Sequence, residues 1–197
     1  MISASRTVAA LWLIWLIAWI IAARSTAPTV ARQATSSRLA HSALLAVGAA
    51  LLFFHPSRFG MLPRSLLPET GWLPWIGVVV TVLGLGMAGW ARAHLGRLWS
   101  GSVTIKSEHT IVRTGPYAFT RHPIYTGLLL AFVGTALVNG TVAGVIGLVL
   151  LALGIVLKIR QEEQLLVEHF GEAYRIYAAE VPALIPRLRR GTSDTPK

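Results

Sequence analysis

The chain has 197 residues, 54% of them hydrophobic and only 13% charged, with a formal net charge of +10. Soluble domains carry roughly a quarter charged residues, so this composition excludes an ordinary soluble globular domain. Cysteine is absent, which removes disulfides, thiolate nucleophiles and cysteine-held metals.

Five apolar segments follow along the chain, at or just below the roughly 17–25 residues a helix needs to cross a hydrocarbon core. The first, residues 8–23, carries Trp12, Trp15 and Trp19 on one helical face. Its sequel, Ala22-Ala23-Arg24-Ser25, lacks a small-x-small cleavage pattern, so it reads as a span and not as a signal sequence. The second, residues 39–54, is closed by His55-Pro56. The third, residues 72–90, has Trp72 and Trp75 at one end and Trp90 at the other, as interfacial aromatic belts would place them. Its Gly84-Leu85-Gly86 reads as a close-packing surface. The fourth runs over residues 123–138 and the fifth over 142–157, joined only by Asn139-Gly140-Thr141. A turn that short predicts an antiparallel hairpin. Beyond it, Leu166, Phe170, Tyr174 and Tyr177 recur at helical spacing within residues 161–179, predicting an amphipathic helix that leaves the membrane or lies along it.

The basic residues orient these segments. With the C-terminus in the cytoplasm, fifteen of the eighteen Lys and Arg fall on the cytoplasmic side, leaving Arg6, Arg58 and Arg64 outside. In so apolar a chain, the basic excess reads as topology and headgroup contact, not nucleic-acid binding. The predicted fold is an all-α integral membrane bundle, with five transmembrane helices and a C-terminal cytoplasmic or interfacial amphipathic helix. Residues 1–71 form an N-terminal part with the first two spans, 72–186 a core, and 187–197 a polar tail.

The stretch that concentrates chemistry is 106–127, KSEHTIVRTGPYAFTRHPIYTG. Pro123 is suited to the first turn of the fourth segment, and it pushes His122 out of the α region. Arg121 and His122 are thereby presented at a helix N-terminus, which favours a carboxylate or phosphate. On the residues alone, Arg121 snorkelling to headgroups, His122 capping and Tyr117 and Tyr125 as belt aromatics stand as the plainer reading. A second cluster, Arg160-Gln161-Glu162-Glu163, follows the fifth segment, where Arg160 and Glu163 at i and i+3 can simply pair. The hairpin brings this cluster to the depth of His122, and two polar clusters converging at one depth favour a site. The histidines lack zinc-ligand spacing, and no phosphate loop, serine elbow or dinucleotide fingerprint is present.

Taken in order, Lys106-x-x-His109, Gly115-Pro116-Tyr117, Arg121-His122-Pro123-x-Tyr125-x-Gly127, Arg160-x-Glu162-Glu163-x-Leu165, Phe170-Gly171-x-x-Tyr174-x-x-Tyr177 and the Val181-Pro182…Ile185-Pro186 ending resemble the isoprenylcysteine carboxyl methyltransferase family. The related phospholipid N-methyltransferases share this general plan. The resemblance covers about residues 84–186 and implies S-adenosylmethionine bound at the cytosolic end of the last two spans. It implies Lys106, His109, Val112, Gly115, Pro116, Tyr117, His122, Pro123, Tyr125 and Glu162 around that cofactor. Arg160 and Glu163 are the implied catalytic pair: Arg160 orients an acceptor carboxylate, while Glu163 acts as a base or only positions. No metal is implied. The implied acceptor is a lipophilic or lipidated molecule entering from the bilayer, and the resemblance leaves its identity and the oligomeric state open. Two other readings compete, a membrane reductase or isomerase using NADPH and a non-enzymatic membrane scaffold.

Overall fold

The computed structural model describes residues 3–24, 29–32, 35–54, 66, 71–96, 104–106 and 111–186. Its α-helices run Ala4–Ala23 (α1), Thr35–Phe53 (α2), Leu73–Leu95 (α3), Pro123–Asn139 (α4), Val142–Phe170 (α5) and Glu172–Glu180 (α6). The helical character expected from the sequence is observed, with one small addition. Thr29–Arg32 (β1) pairs antiparallel with Thr104–Lys106 (β2), with an irregularity between Thr29 and Ala31. Strands of four and three residues are too short to leave a legible period of two.

Among the described residues three helices, α1, α3 and α5, are long and apolar enough to cross a membrane, and the chain is an integral membrane protein. The 17-residue α4 and the apolar part of α2, His41–Phe53, are shorter. At about 1.5 Å per residue the 29-residue α5 is about 43 Å long, longer than a hydrocarbon core of about 30 Å. Its last turns therefore project beyond the apolar layer, and they carry Lys158, Arg160, Glu162 and Glu163.

Local signals set the helix ends. Ser3 caps α1 by accepting from the Arg6 amide, and Thr141 caps α5 by accepting from the Gly144 amide at 3.0 Å. Gly140 ends α4 in the left-handed region, φ 58°, where a side chain would be strained. Gly171, at φ 55°, breaks the amphipathic segment into the end of α5 and a separate α6.

The hairpin turn forms where expected, but its two helices find their main partners elsewhere. α4 packs most extensively along α3, and α5 along α2. The cause is a run of small residues. Gly77, Thr81, Gly84 and Ala88 on α3 face Gly134, Ala131 and Gly127 on α4, in antiparallel order. A β-carbon added at Gly84 would lie 2.4 Å from the Ala131 nitrogen, and one at Gly134 would lie 2.5 Å from the Gly77 oxygen. Backbones this close gain dispersion contacts that lipid cannot supply. Gly48 and Gly147 repeat the arrangement between α2 and α5. Gly86, by contrast, meets nothing within 4 Å.

The tryptophan face of α1 also has a defined partner. Trp12 stacks on Phe132 at 5.1 Å between centroids and donates to the Thr135 hydroxyl at 2.9 Å. Most of α1 otherwise exposes Leu and Ile, as a lipid-facing span does. At the other end of α3, the buried Arg92 donates to the carbonyls of Gly96 and Ala22, both at 2.7 Å. The ends of α1 and α3 and the β1–β2 pair thus share one side of the bundle with the start of α4 and the end of α5.

Candidate functional site

The site forms where α4 begins and α5 leaves the apolar layer. His122 precedes Pro123 in a non-helical conformation, φ −123° and ψ 59°, as expected for a residue before proline. Its imidazole is buried and bridges two carboxylates: Nε2 lies 3.1 Å from Glu163 Oε1, and Nδ1 lies 3.6 Å from Glu162 Oε2. The Tyr125 hydroxyl, one turn into α4, donates to Glu162 Oε1 at 2.6 Å. Its ring stacks beside His122 at 5.7 Å, and the Lys158 ammonium lies 5.5 Å from its centroid.

Arg121 is the hub of the cluster. Its Nε and Nη2 reach Glu163 Oε1 at 2.8 and 2.7 Å, and its Nη1 donates to the Ala178 carbonyl at 2.8 Å and to the Val181 carbonyl. With 11% of its side chain exposed, it does not snorkel to headgroups. Glu163 therefore pairs across the hairpin and not with Arg160 one turn away. Arg160 is exposed and makes no hydrogen bond or ion pair among the described residues.

Burial by itself would raise the Glu163 carboxyl. The hydrogen bonds and charges of His122 and Arg121 outweigh it and hold the group below the ordinary carboxylate range. Glu163 is thus a carboxylate at neutral pH. The nearby phenols move the other way. Burial, reinforced by the charge of Glu162, raises Tyr117; burial, reinforced by Glu163, raises Tyr174. Burial pushes Tyr177 up to about 12 against the pull of Arg121 and Arg113. These hydroxyls stay protonated and can donate, but they cannot act as bases near neutrality.

The approach to α4 is clamped on both sides. Gly115 starts a 3₁₀ turn, Gly115–Ala118, at φ 57°, and a β-carbon there would lie 2.7 Å from the His94 ring. His94 Nε2 lies 2.9 Å from the Thr114 hydroxyl. Pro116 and Tyr117 are buried, and Val112 is half-buried in the extended run before them. The Tyr177 hydroxyl of α6 donates to the Tyr117 carbonyl at 2.7 Å, and Arg113 pairs with Glu180. The amides of Arg121 and His122 are taken by the carbonyls of Pro182 and Ala183, at 2.9 and 3.0 Å. The first bond within α4 runs from the Thr126 amide to the His122 carbonyl. The amides of Ile124 and Tyr125 thus precede the helix's own ladder, as helix N-termini leave them.

Of the residues singled out by sequence, the structure brings together His122, Pro123, Tyr125, Glu162 and Glu163, and places Val112, Gly115, Pro116 and Tyr117 in the adjoining clamp. Lys106 lies on β2, its backbone opposite Thr29. His109 lies outside the described residues. That Arg121 reaches Glu163 and the Val181 carbonyl was not legible from spacing, and the Val181-Pro182 motif was the hint to the role of residues 181–184.

This geometry coincides with a match to known proteins. Residues 75–168 match the model of the isoprenylcysteine carboxyl methyltransferase (ICMT) family. The chain is 35% identical over 119 residues to the cobalt-zinc-cadmium resistance protein CzcN of Cupriavidus metallidurans, covering 58% of this chain and 54% of that protein. It is 29% identical over 123 residues to protein-S-isoprenylcysteine O-methyltransferase B of Arabidopsis thaliana, covering 61% and 62%. A methanethiol S-methyltransferase of Pseudomonas deceptionensis matches at 40% over 80 residues, 40% of this chain and 30% of that protein. The chain spans about half the length of the first two curated relatives it matches, 54% and 56%. The solved eukaryotic intramembrane Ras methyltransferase ICMT shares the fold, with a TM-score of 0.56 and 24% identity over 80% of this chain and 54% of that one. The matched segment contains nearly all of α3, α4 and the carboxylate-bearing end of α5, and with it the whole Arg121–His122–Glu162–Glu163 cluster, so the likeness to the isoprenylcysteine carboxyl methyltransferase family falls on the site itself.

Proposed function

We propose that this chain is an S-adenosylmethionine-dependent methyltransferase acting on a membrane-embedded lipophilic acceptor at the cytoplasmic face. The observation that carries the reading is the convergence of a buried histidine, two glutamates and a tyrosine at the membrane end of α4 and α5, inside the family-matched segment. The names of the relatives support it, since two of them are methyltransferases for thiol or isoprenylcysteine acceptors. The finer topology is part of the same proposal: five spanning segments, with α2 and α4 as short spans, the N-terminus outside and the C-terminus cytoplasmic. The distribution of fifteen basic residues on one side supports it.

The donor set suits the cofactor. A bound S-adenosylmethionine presents a carboxylate, an ammonium, ribose hydroxyls and a sulfonium. The Ile124 and Tyr125 amides and His122 would hold the carboxylate. Glu162 would accept from the ribose or the ammonium, and the Tyr125 or Tyr117 ring would face the cation. When bound, the cofactor supplies an electrophilic methyl group. Methyl transfer is an in-line displacement, so the chain's own task is to position the reactants and exclude water. The buried His122 and the apolar flanks of α4 and α5 suit that task. Glu163, held as a carboxylate by its bonds to Arg121 and His122, is a weak base, which favours a positioning or electrostatic role over proton abstraction. Arg160, exposed one turn before it on α5, would meet an acceptor carboxylate arriving from the bilayer.

Isothermal titration of S-adenosylmethionine and S-adenosylhomocysteine into the detergent-purified chain tests this reading, with His122→Ala alongside. Micromolar binding that His122→Ala abolishes supports it. A well-folded sample that binds neither molecule overturns it.

A further inference from the structure

The carbonyls of residues 181–184, the strap that follows α6, point one after another at the start of α4. The Val181 carbonyl accepts from Arg121 Nη1, that of Pro182 from the Arg121 amide, that of Ala183 from the His122 amide and the Thr120 hydroxyl, and that of Leu184 from the Thr126 hydroxyl. The distances for Pro182, Ala183 and Leu184 lie between 2.6 and 3.0 Å. Leu184 also packs against the core cluster around Phe132 and Ile155. Both α6 and the strap lie beyond the family-matched residues 75–168.

One side chain joins this strap to the carboxylates. The Arg121 guanidinium puts Nε and Nη2 on Glu163 and Nη1 on the carbonyls of Ala178 and Val181. A planar, rigid fork with donors on both sides cannot shift toward one partner without leaving the other. Glu163 Oε1 thereby receives Arg121 and His122 together. We propose that Arg121 is a positioning residue that couples docking of the C-terminal strap to the placement of Glu163, so that the site is complete only with the strap latched. Its consequence for cofactor binding rests on the S-adenosylmethionine reading above; its consequence for the strap does not.

The groups facing Glu163 are Arg121 and His122 from the approach to α4 and Tyr174 from α6, while Glu162 and Arg160 are its neighbours in sequence on α5. Removing the Arg121 charge leaves burial to act on Glu163 with His122 alone opposing it. The carboxylate is then protonated at a higher pH, and binding that needs its charge is lost earlier on acidification.

The test uses the full chain in lipid nanodiscs, read by hydrogen exchange at the Arg121 and His122 amides and by S-adenosylhomocysteine titration from acid to neutral pH. Arg121→Gln is expected to speed exchange at both amides about tenfold, as loss of a local latch does. It is also expected to weaken binding and to move the acid limb of binding to higher pH. Arg121→Lys keeps the charge but not the fork, so it returns the acid limb toward wild type without restoring amide protection. Thr126→Val removes one strap bond and spares every charge; faster exchange with weaker binding supports the coupling. Unchanged protection in Arg121→Gln overturns the proposal, as does a freed strap in either variant with unchanged affinity. A wild-type chain that binds no S-adenosylhomocysteine removes the cofactor reading, and exchange in Arg121→Gln still decides whether the guanidinium holds the strap.

Discussion

The α3–α4 seam and the site at the start of α4 lie on the same helix and are held by opposite means. Along the seam, contact is made by what is missing: Gly77, Gly84, Gly127 and Gly134 leave no room for a methyl group, and the backbones touch. At the site, contact is made by long charged side chains that reach across from different elements, as Arg121 does to Glu163 and Ala178. The seam is a matter of shape, indifferent to pH and salt. The site is a matter of partly buried charge, where each group depends on its partners to remain ionised. A membrane protein with a polar site needs both, because lipid supplies no hydrophobic drive between helices and the site keeps polar groups at the edge of an apolar medium.

The largest effect expected from breaking this comparison lies in the seam. Gly84→Leu forces a side chain into the Ala131 backbone and should cost about 3 kcal/mol or more, the upper range for overpacking. The measurement is monodispersity and thermal unfolding in detergent; near-wild-type behaviour would show that the two backbones can separate without loss.

Next comes Glu163→Gln, which removes the carboxylate shared by Arg121 and His122 and leaves the guanidinium half-paired in a partly buried place. Stability should fall by about 1–3 kcal/mol. On the methyl-transfer reading, turnover should fall about 100-fold or more, the scale of losing one preorganised polar group. An unchanged rate with intact cofactor binding would take Glu163 out of the mechanism.

Acidification sharpens the contrast at smaller amplitude. The Glu163 carboxyl sits below its ordinary value of 4.5, so its folded form binds fewer protons than the unfolded chain. The stability it contributes is complete above that ordinary value and is lost as pH falls through the lowered one. Wild type should therefore lose stability in that acid window relative to Glu163→Gln, in paired thermal melts. Parallel curves would mean the pair contributes nothing.

The smallest effect belongs to Gly86→Ala. It is two residues from Gly84, yet its added β-carbon meets open space. The substitution should be neutral or stabilise by about 0.5–1 kcal/mol through helix propensity alone. A clear destabilisation would mean that this face of α3 has a partner.

How far the sequence carried this reading depended on the reach of each signal. Signals acting within a few residues were legible: Pro123 opening α4, and Gly140 and Thr141 between α4 and α5. The convergence of His122 with Glu162 and Glu163 was legible as well, because a three-residue turn leaves the chain few alternatives. The partner of Glu163 was not, since Arg160 at i+3 distance and Arg121 far off in sequence offer the same charge. Nor was it legible that α4 would lie along α3 and α5 along α2. A glycine run announces close packing but does not name the helix that comes close.

By itself the amino-acid sequence determined that this is a membrane bundle, which of its turns are tight, and that its polar residues gather at one end. Those properties follow from hydropathy, backbone stereochemistry and chain connectivity, all of which act locally. Only the tertiary structure decided that Arg121, and not Arg160, holds Glu163, that Gly84 packs while Gly86 does not, and that residues 181–184 close over the start of α4. Each of these is a choice among chemically equal partners, and such a choice is made by which surfaces fit in three dimensions.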